Sequence, residues 1–313
     1  MAAEQHILLS VITPTYNRLP VLKNLVEASL SRIGRDDVEV IIVDDGSTDG
    51  TWEWLSAYCA TAKGFSCYQT PRNSGPGPAR NIALDHASGL YFLPCDSDVI
   101  PMPDAIERIC ALIEAHADRN LIFVPCLEYP SLKRMDQISG DREISSQDML
   151  YERIAAEMIP IGKLSYFRER GLKYPEFRSG GEGILWIRAT AEKPALFVDG
   201  PLFYYRTDVA GRICTADHQL KHAPDMARMT DAFFELYPAN PDAEGAARKA
   251  RRYAAAGMYH LLAGNLREAR SRLRKAAVAG NKEAMVLLAA SLFGVKACRA
   301  GFRILRRKSL QTT

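Results

Sequence analysis

The stretch VEVIIVDDGSTDGT, Val38 to Thr51, decides the fold. An apolar, β-branched run, Val38 to Val43, passes without a spacer into Asp44-Asp45-Gly46-Ser47 and then into Thr48-Asp49-Gly50-Thr51, where a helix can start. A short run of this kind reads as a strand covered on both faces, and a strand that feeds a helix through a turn is the unit of a parallel sheet. Carboxylates at the carboxyl end of such a strand project into the crevice where open α/β sheets bind ligands. Ser47 and Asp49 read first as turn caps, as Ser and Asp often are, whereas the Asp44-Asp45 pair reads as ligand-facing.

Working outward, the same alternation recurs. His6 to Thr13 (HILLSVIT) is expected to be a strand and Leu19 to Ile33 a helix; downstream come a helix from Thr51 to Ala62, a strand at Ser66 to Gln69 and a helix from Arg80 to Ala87. Leu90 to Leu93 is the next strand, ending in Pro94, Cys95 and Asp96. Pro103 to Ala117 fits a helix, Leu121 to Val124 a strand and Asp148 to Met158 a helix. The polar stretch Ser131 to Ser146 reads as a mobile loop over a site. After Phe197-Val198 and the strand Leu202 to Arg206 (LFYYR), residues 208–224 lose periodicity, as a lid or acceptor loop would. The fold class is α/β.

Asp96-Ser97-Asp98 is a second acidic turn after a second apolar strand. Alternate residues on extended chain point the same way, so these two carboxylates can converge on one divalent ion, Mg2+ or Mn2+, held in part by diphosphate oxygens.

Four blocks, SVITPTYNR (Ser10 to Arg18), VEVIIVDDGSTDGT, NSGPGPARNIAL (Asn73 to Leu84) and LPCDSDVIPMPDAI (Leu93 to Ile106), resemble in order and spacing the inverting glycosyltransferases of the GT-A fold, family 2. The likeness covers roughly residues 7–206. It implies a Rossmann-like, mostly parallel central sheet flanked by helices, and a nucleoside-diphosphate sugar, UDP-linked, as donor. Pro14, Tyr16 and Asn17 would line the base pocket, Asp45 would hold the base and Arg80 would approach the nucleotide. Asp96 and Ser97 would lie by the ribose. Asp98 would be the main protein ligand of the metal in this D-x-D motif, with Asp96 beside it.

Inverting transfer needs a base for the acceptor hydroxyl and a cation for the leaving diphosphate. The family places its base in a Glu-Asp pair; here SGGEGILWIRA offers Glu182 followed by Gly183. Glu182 is the expected base, with the N-terminal charge of a helix as its structural alternative. Trp186 reads either as an acceptor platform or as core. Tyr204-Tyr205-Arg206 resembles the family's late Y-x-Y-R strand, after which Arg212 would meet the diphosphate. His218 and His222 stand at i and i+4, a spacing that allows metal ligation on one helical face, so His218 is a candidate partner of Asp98. The acceptor would be a glycan or a polyprenyl-linked oligosaccharide of a bacterial surface or exopolysaccharide. The missing Asp beside Glu182 leaves a second class open, a weak or inactive nucleotide-sugar-binding scaffold.

The chain has 313 residues, 47% hydrophobic and 25% charged, which excludes collagen-like, disulfide-scaffold and wholly disordered classes. Its net charge of +3 hides an asymmetry: residues 1–244 carry 24 Lys and Arg against 35 Asp and Glu, residues 245–313 carry 16 against 2. From Pro238 the composition turns to Ala, Arg and Leu. Ala243 to Ala263, Leu266 to Ala279 and Lys282 to Phe293 read as helices punctuated by Gly264-Asn265 and Gly280-Asn281, similar to a tetratricopeptide hairpin. The expected domains are 1–237 (nucleotide-sugar and catalytic), 238–294 (helical appendage) and 295–313 (a basic amphipathic tail suited to an anionic membrane surface). No nucleic-acid motif accompanies the basic residues. Seven cysteines without C-x-x-C spacing, no basic leader and no long apolar run give a cytoplasmic expectation, peripheral on the inner face of the plasma membrane.

Overall fold

The structure, a computed structural model, describes residues 6–154, 156–208 and 216–309. Its strands are β1 (Leu9–Thr15), β2 (Val38–Asp44), β3 (Phe65–Gln69), β4 (Tyr91–Pro94), β5 (Val99–Pro101), β6 (Leu121–Tyr129), β7 (Arg142–Ile144), β8 (Met158–Lys163), β9 (Ala195–Phe197) and β10 (Phe203–Arg206). The helices in the same span are α1 (Leu19–Ala28), α2 (Thr51–Cys59), α3 (Pro76–His86), α4 (Ala105–Ala115), α5 (Ser146–Leu150), α6 (Leu164–Glu169) and α7 (Glu182–Ala189). After them come α8 (Ala216–Lys221), α9 (Ala223–Ala232), α10 (Ala243–Ala263), α11 (Leu266–Val278), α12 (Lys282–Ala290) and α13 (Gly294–Ser309).

Two compact units result. The first holds the described residues up to Met149, Arg153–Glu176, and Leu185 to the end of β10. Its sheet runs β3-β2-β1-β4-β8-β6-β10-β5, with β9 on β6 and β7 on β9. The left half, β3-β2-β1-β4, is parallel, and β8 runs antiparallel to both β4 and β6. β1 is buried along its whole length and β2 at all but one position, which is why both read as unbroken apolar runs. Helices cover the two faces: Leu22, Leu25, Val26, Ile106 and Ile109 close one, Ala79, Ala83, Phe167 and Trp186 the other.

Three expectations in this unit give way to local chemistry. The helix starts at Pro76 rather than Arg80, because a proline in the first turn needs no intrahelical N–H bond. Gly77 permits this start: a Cβ there would lie 2.4 Å from the Pro175 carbonyl oxygen. The helix expected over 148–158 stops at Leu150, and Met158 opens β8, since Pro160 disfavours helical geometry at Ile159 and removes a donor. The Ser131–Ser146 stretch is tied down: β7 falls inside it, and Arg134 bonds Asp136, Asp199 and the Ile138 carbonyl.

The second unit comprises Leu150–Glu152, Phe177–Ile184 and the described residues from Ala216 onward. The boundary therefore falls before α8 and not at 237/238, because Ala223, Met226 and Ala227 of the α8–α9 region share a core with Tyr259 and Leu262 of α10. Asp242 caps α10 by accepting the Gly245 N–H at 2.7 Å, and Asn281 caps α12 through Ala284 N–H at 2.9 Å, each worth about 1 kcal/mol. Gly257 lets α10 and α11 meet; a Cβ there would lie 2.6 Å from Leu273 Cγ.

Candidate functional site

In the first unit the chain order changes sense at β1: β2 and β3 extend the sheet to one side, β4 to the other. Ligands of open parallel sheets bind beyond the carboxyl ends of the strands at such a switch point. Three loops start there: 14–18 after β1, 44–50 after β2 and 95–98 after β4.

The first two loops are sewn together. Asn17, at φ 49°, donates its N–H to Ser47 Oγ at 2.8 Å, and its side-chain oxygen accepts from Thr48 N–H at 2.7 Å. Asp49 accepts from Leu19 N–H at 3.1 Å and from Thr51, so Ser47 and Asp49 are the turn anchors that their residue types suggested. Asp44 is buried and accepts from Ser47 and from Gln69 Nε2. Tyr16, at the mouth of these loops, is exposed, while Pro14 and Thr15 are buried in β1; the Thr15 hydroxyl has no hydrogen-bond partner.

Asp45 is buried and accepts three donors from the 70–75 loop after β3: Thr70 Oγ1 at 2.8 Å, Ser74 N–H at 3.0 Å and Gly75 N–H at 2.7 Å. Burial pushes its carboxyl above the usual range, against the pull of these bonds. In this structure Asp45 thus holds the 70–75 loop that opens α3.

Arg80, on α3, is buried rather than a surface residue. Its guanidinium clasps Asp96 with Nη2 2.7 and 2.6 Å from the two carboxylate oxygens, and lies 5.1 Å from the centroid of the Tyr174 ring. Asn81 secures that tyrosine by paired bonds to its backbone N–H and carbonyl. Ser97 and Asp98 are both buried, and Arg18 Nη1 reaches them at 3.2 and 3.1 Å. Burial first, and the neighbouring Asp96 second, push the Asp98 carboxyl up against the pull of Arg18. The Asp98 carbonyl accepts Arg206 N–H at 2.9 Å, so β10 fixes the backbone of this turn.

Each carboxylate of the acidic turn is therefore matched by an arginine, a feature that sequence reading missed for Arg18. Its only sequence signal is a basic residue closing P-T-Y-N-R between a strand and a helix; nothing signals Tyr174. Trp186 is core, edge-on to Phe123 and Tyr174, and not an acceptor platform.

Glu182 and His218 belong to the second unit. Glu182 is half-buried and is the first residue of α7. Gly180 and Gly181 before it take φ 70° and 94°, and a Cβ on Gly181 would lie 2.8 Å from Phe177. At Gly183 a Cβ would meet the Phe233 ring at 3.5 Å, so the family's Asp would face an aromatic edge here. His218 Nε2 meets Ser179 Oγ and its ring lies 4.4 Å from His222; burial holds its pKa down. Arg212 falls outside the described residues.

Among the described residues no three His, Cys, Asp or Glu side chains cluster as a ready-made metal cage. Two carboxylates on one turn, one of them under-compensated in burial, fit a Mg2+ or Mn2+ that draws its remaining oxygens from a diphosphate. They do not fit a metal held by protein alone.

The sheet and its acidic switch point define a Rossmann-like α/β protein with a ligand crevice. Comparison with known proteins gives the family. The sequence profile of Glycosyl transferase family 2 matches residues 10–158. TuaG of Bacillus subtilis (strain 168), named as a teichuronic acid biosynthesis glycosyltransferase, is 30% identical over 184 residues, which cover 58% of this chain and 71% of TuaG. The GalNAc(5)-diNAcBac-PP-undecaprenol beta-1,3-glucosyltransferase of Campylobacter jejuni is 27% identical over 191 residues, 59% of this chain and 60% of that protein. Among solved structures, Staphylococcus aureus TarS 1-349 in complex with UDP-GlcNAc matches with a TM-score of 0.63 at 16% identity, over 98% of this chain and 92% of that one. This chain belongs to glycosyl transferase family 2, and its fold is GT-A with a helical C-terminal region. It spans 32% of the length of two rickettsial relatives, both named as uncharacterized glycosyltransferases.

Proposed function

We propose that the protein is a glycosyltransferase that moves a sugar, with inversion, from a nucleoside-diphosphate sugar to a hydroxyl of a bacterial surface glycan. The observation that carries this reading is the pairing of Arg80 with Asp96 and Arg18 with Asp98 at the switch point, where the acidic turns after β2 and β4 flank the end of β1. Such a constellation holds a polyanion only with an added cation, and a diphosphate supplies the oxygens the cation lacks. When bound, the divalent ion neutralises charge on the leaving diphosphate. Asp98 would be its protein ligand, with Asp96 oriented by Arg80 towards the ribose and Ser97 beside it. Tyr16 and Pro14 would border the base; Asp45 would reach the base by exchanging a bond with the 70–75 loop. His218 would join the metal only by leaving Ser179.

Glu182 is the proposed general base. A UDP-sugar is the favoured donor, supported by the GT-A neighbour solved with UDP-GlcNAc. A lipid-carried oligosaccharide is the favoured acceptor, supported by a relative whose name specifies a PP-undecaprenol substrate. Peripheral attachment through residues 295–313 would bring the enzyme to such a carrier.

Calorimetry with a panel of nucleotide sugars, with Mn2+ and with chelator, tests the donor: binding lost on chelation supports the shared metal. Glu182→Gln should lower transfer about 1,000-fold while donor binding is kept. The Gly183 departure favours one competing reading, a nucleotide-sugar-binding scaffold. Under that reading the wild type binds donor without transfer or hydrolysis, and Glu182→Gln changes nothing.

A further inference from the structure

The helical unit leaves a row of apolar side chains uncovered. Met285 is 49% exposed, Val286 69%, Leu292 76% and Phe293 79%, and Ala289 between them is exposed as well. These positions stand at i, i+1, i+4, i+7 and i+8, one face of α12 continued through the short 3-10 turn Ser291–Phe293. The opposite face is the one that packs: Ala284 is buried in a core with Leu273 and Ala276 of α11, and Leu287 and Leu288 lean on it. A helix ordinarily turns its apolar stripe to the core, so a second stripe on the open side asks for an occupant.

Charge indicates which one. Beyond Glu283 the chain has no acidic residue, and Lys296, Arg299, Arg303, Arg306, Arg307 and Lys308 follow on α13. Lys282 before the stripe and Lys296 after it are exposed. Bulky apolar side chains with Lys282 and Lys296 at their two ends, a single exposed Glu283 beside Lys282 and only basic charge further on match an anionic lipid surface, in which the apolar groups enter the acyl boundary and the cations stay with the headgroups. No helix among the described residues is long and apolar enough to cross a membrane, so the contact is interfacial.

We infer that the α12 stripe, with Leu292 and Phe293 as its most exposed members, is a docking surface for an anionic bilayer, and that the basic α13 adds attraction rather than forming the apolar contact. This moves the membrane contact upstream of the tail at 295–313 and deepens the lipid-carried acceptor reading, on which its purpose rests.

The test is flotation of the full chain with vesicles of phosphatidylcholine, with and without phosphatidylglycerol. Wild type should float with the anionic vesicles, and Leu292→Asp/Phe293→Asp should cut the bound fraction at least tenfold with unchanged circular dichroism. Val278→Asp, which alters an equally exposed apolar residue on α11, should cost less than twofold; Lys296→Glu should weaken binding only at low salt. Equal losses for Val278→Asp and the stripe variant would overturn the assignment. So would flotation that ignores the stripe, or a self-association in sedimentation that the stripe variant abolishes. Transfer to a soluble acceptor, measured beside flotation, separates the two levels: intact docking without transfer defeats the enzymatic reading alone, and intact transfer without docking defeats the lipid inference alone.

Discussion

Asp98 in the sheet unit and Asp231 in the helical unit are both carboxylates that face arginine, yet their surroundings act on them in opposite directions. Asp98 is pushed up by burial and by Asp96, and one contact from Arg18 does not compensate. Asp231 would also be raised by burial, but Arg272 and His260 hold it below the ordinary value through bonds of 2.9 Å from Arg272 Nε and 2.9 Å from His260 Nε2. The second arrangement is what a folding contact looks like. The first leaves a buried carboxylate with its pKa raised, a perturbation that is commoner at functional sites than in folding contacts.

Replacing Asp98 gives the largest effect and the sharpest contrast. Asp98→Asn removes a charge that burial disfavours, so stability in urea should stay within about 0.5 kcal/mol of wild type or rise. Transfer should fall on the order of 100-fold, and metal-dependent donor binding should go with it. A large loss of stability with little loss of transfer would reverse the comparison and make Asp98 structural.

Arg80 and Asp96 stand between these extremes. The arginine is buried and the carboxylate partly exposed, so Arg80→Met should cost about 2 kcal/mol, less than the roughly 3–5 kcal/mol of breaking a fully buried pair. It would also remove the guanidinium from the face of the Tyr174 ring. In the double variant Arg80→Met/Asp96→Asn part of the stability should return, because no charge is then left unpaired. Additive losses in chemical denaturation would show that the two residues act separately.

What the sequence disclosed follows the range of the interaction that fixes each feature. The buried strands β1 and β2 and the helices α10 to α12 were legible because apolar run length, Gly-Asn breaks and caps are local. So were the Ser47 and Asp49 anchors, whose partners lie within a turn or on the adjoining loop. Arg18 on Asp98 spans 80 residues and Asn81 on Tyr174 spans 93, distances at which no spacing in the chain carries a signal. Trp186 could be read either way, and only its neighbours Phe123, Phe167 and Tyr174 settle it as core. The α12 stripe was illegible for a different reason: its helical spacing is the one that ordinarily marks a buried face, and exposure is decided by what packs there.

The smallest effect is the most discriminating on pH. Asp231 keeps a depressed folded pKa against an ordinary value of 3.8, so its contribution is fully present above that value and is lost as pH falls through the folded pKa. Asp231→Asn should therefore cost about 1 kcal/mol at neutral pH, a modest figure because the carboxylate is a quarter exposed and screened. The cost should shrink only below about pH 4, where the wild type also begins to protonate. Asp98 has the opposite sign: its raised folded pKa means that the ionised carboxylate costs stability at neutral pH, and protonation of the wild type relieves this as pH falls through the folded value. Any advantage of Asp98→Asn should then be greatest at neutral pH and shrink as pH falls through the raised folded pKa towards the ordinary value of 3.8. Urea denaturation of the two variants across that range should give difference curves of opposite sign at neutral pH that both approach zero, Asp98→Asn first. Curves of the same sign would mean that the two carboxylates play the same part, and the contrast between a ligand-seeking acid and a structural one would be gone.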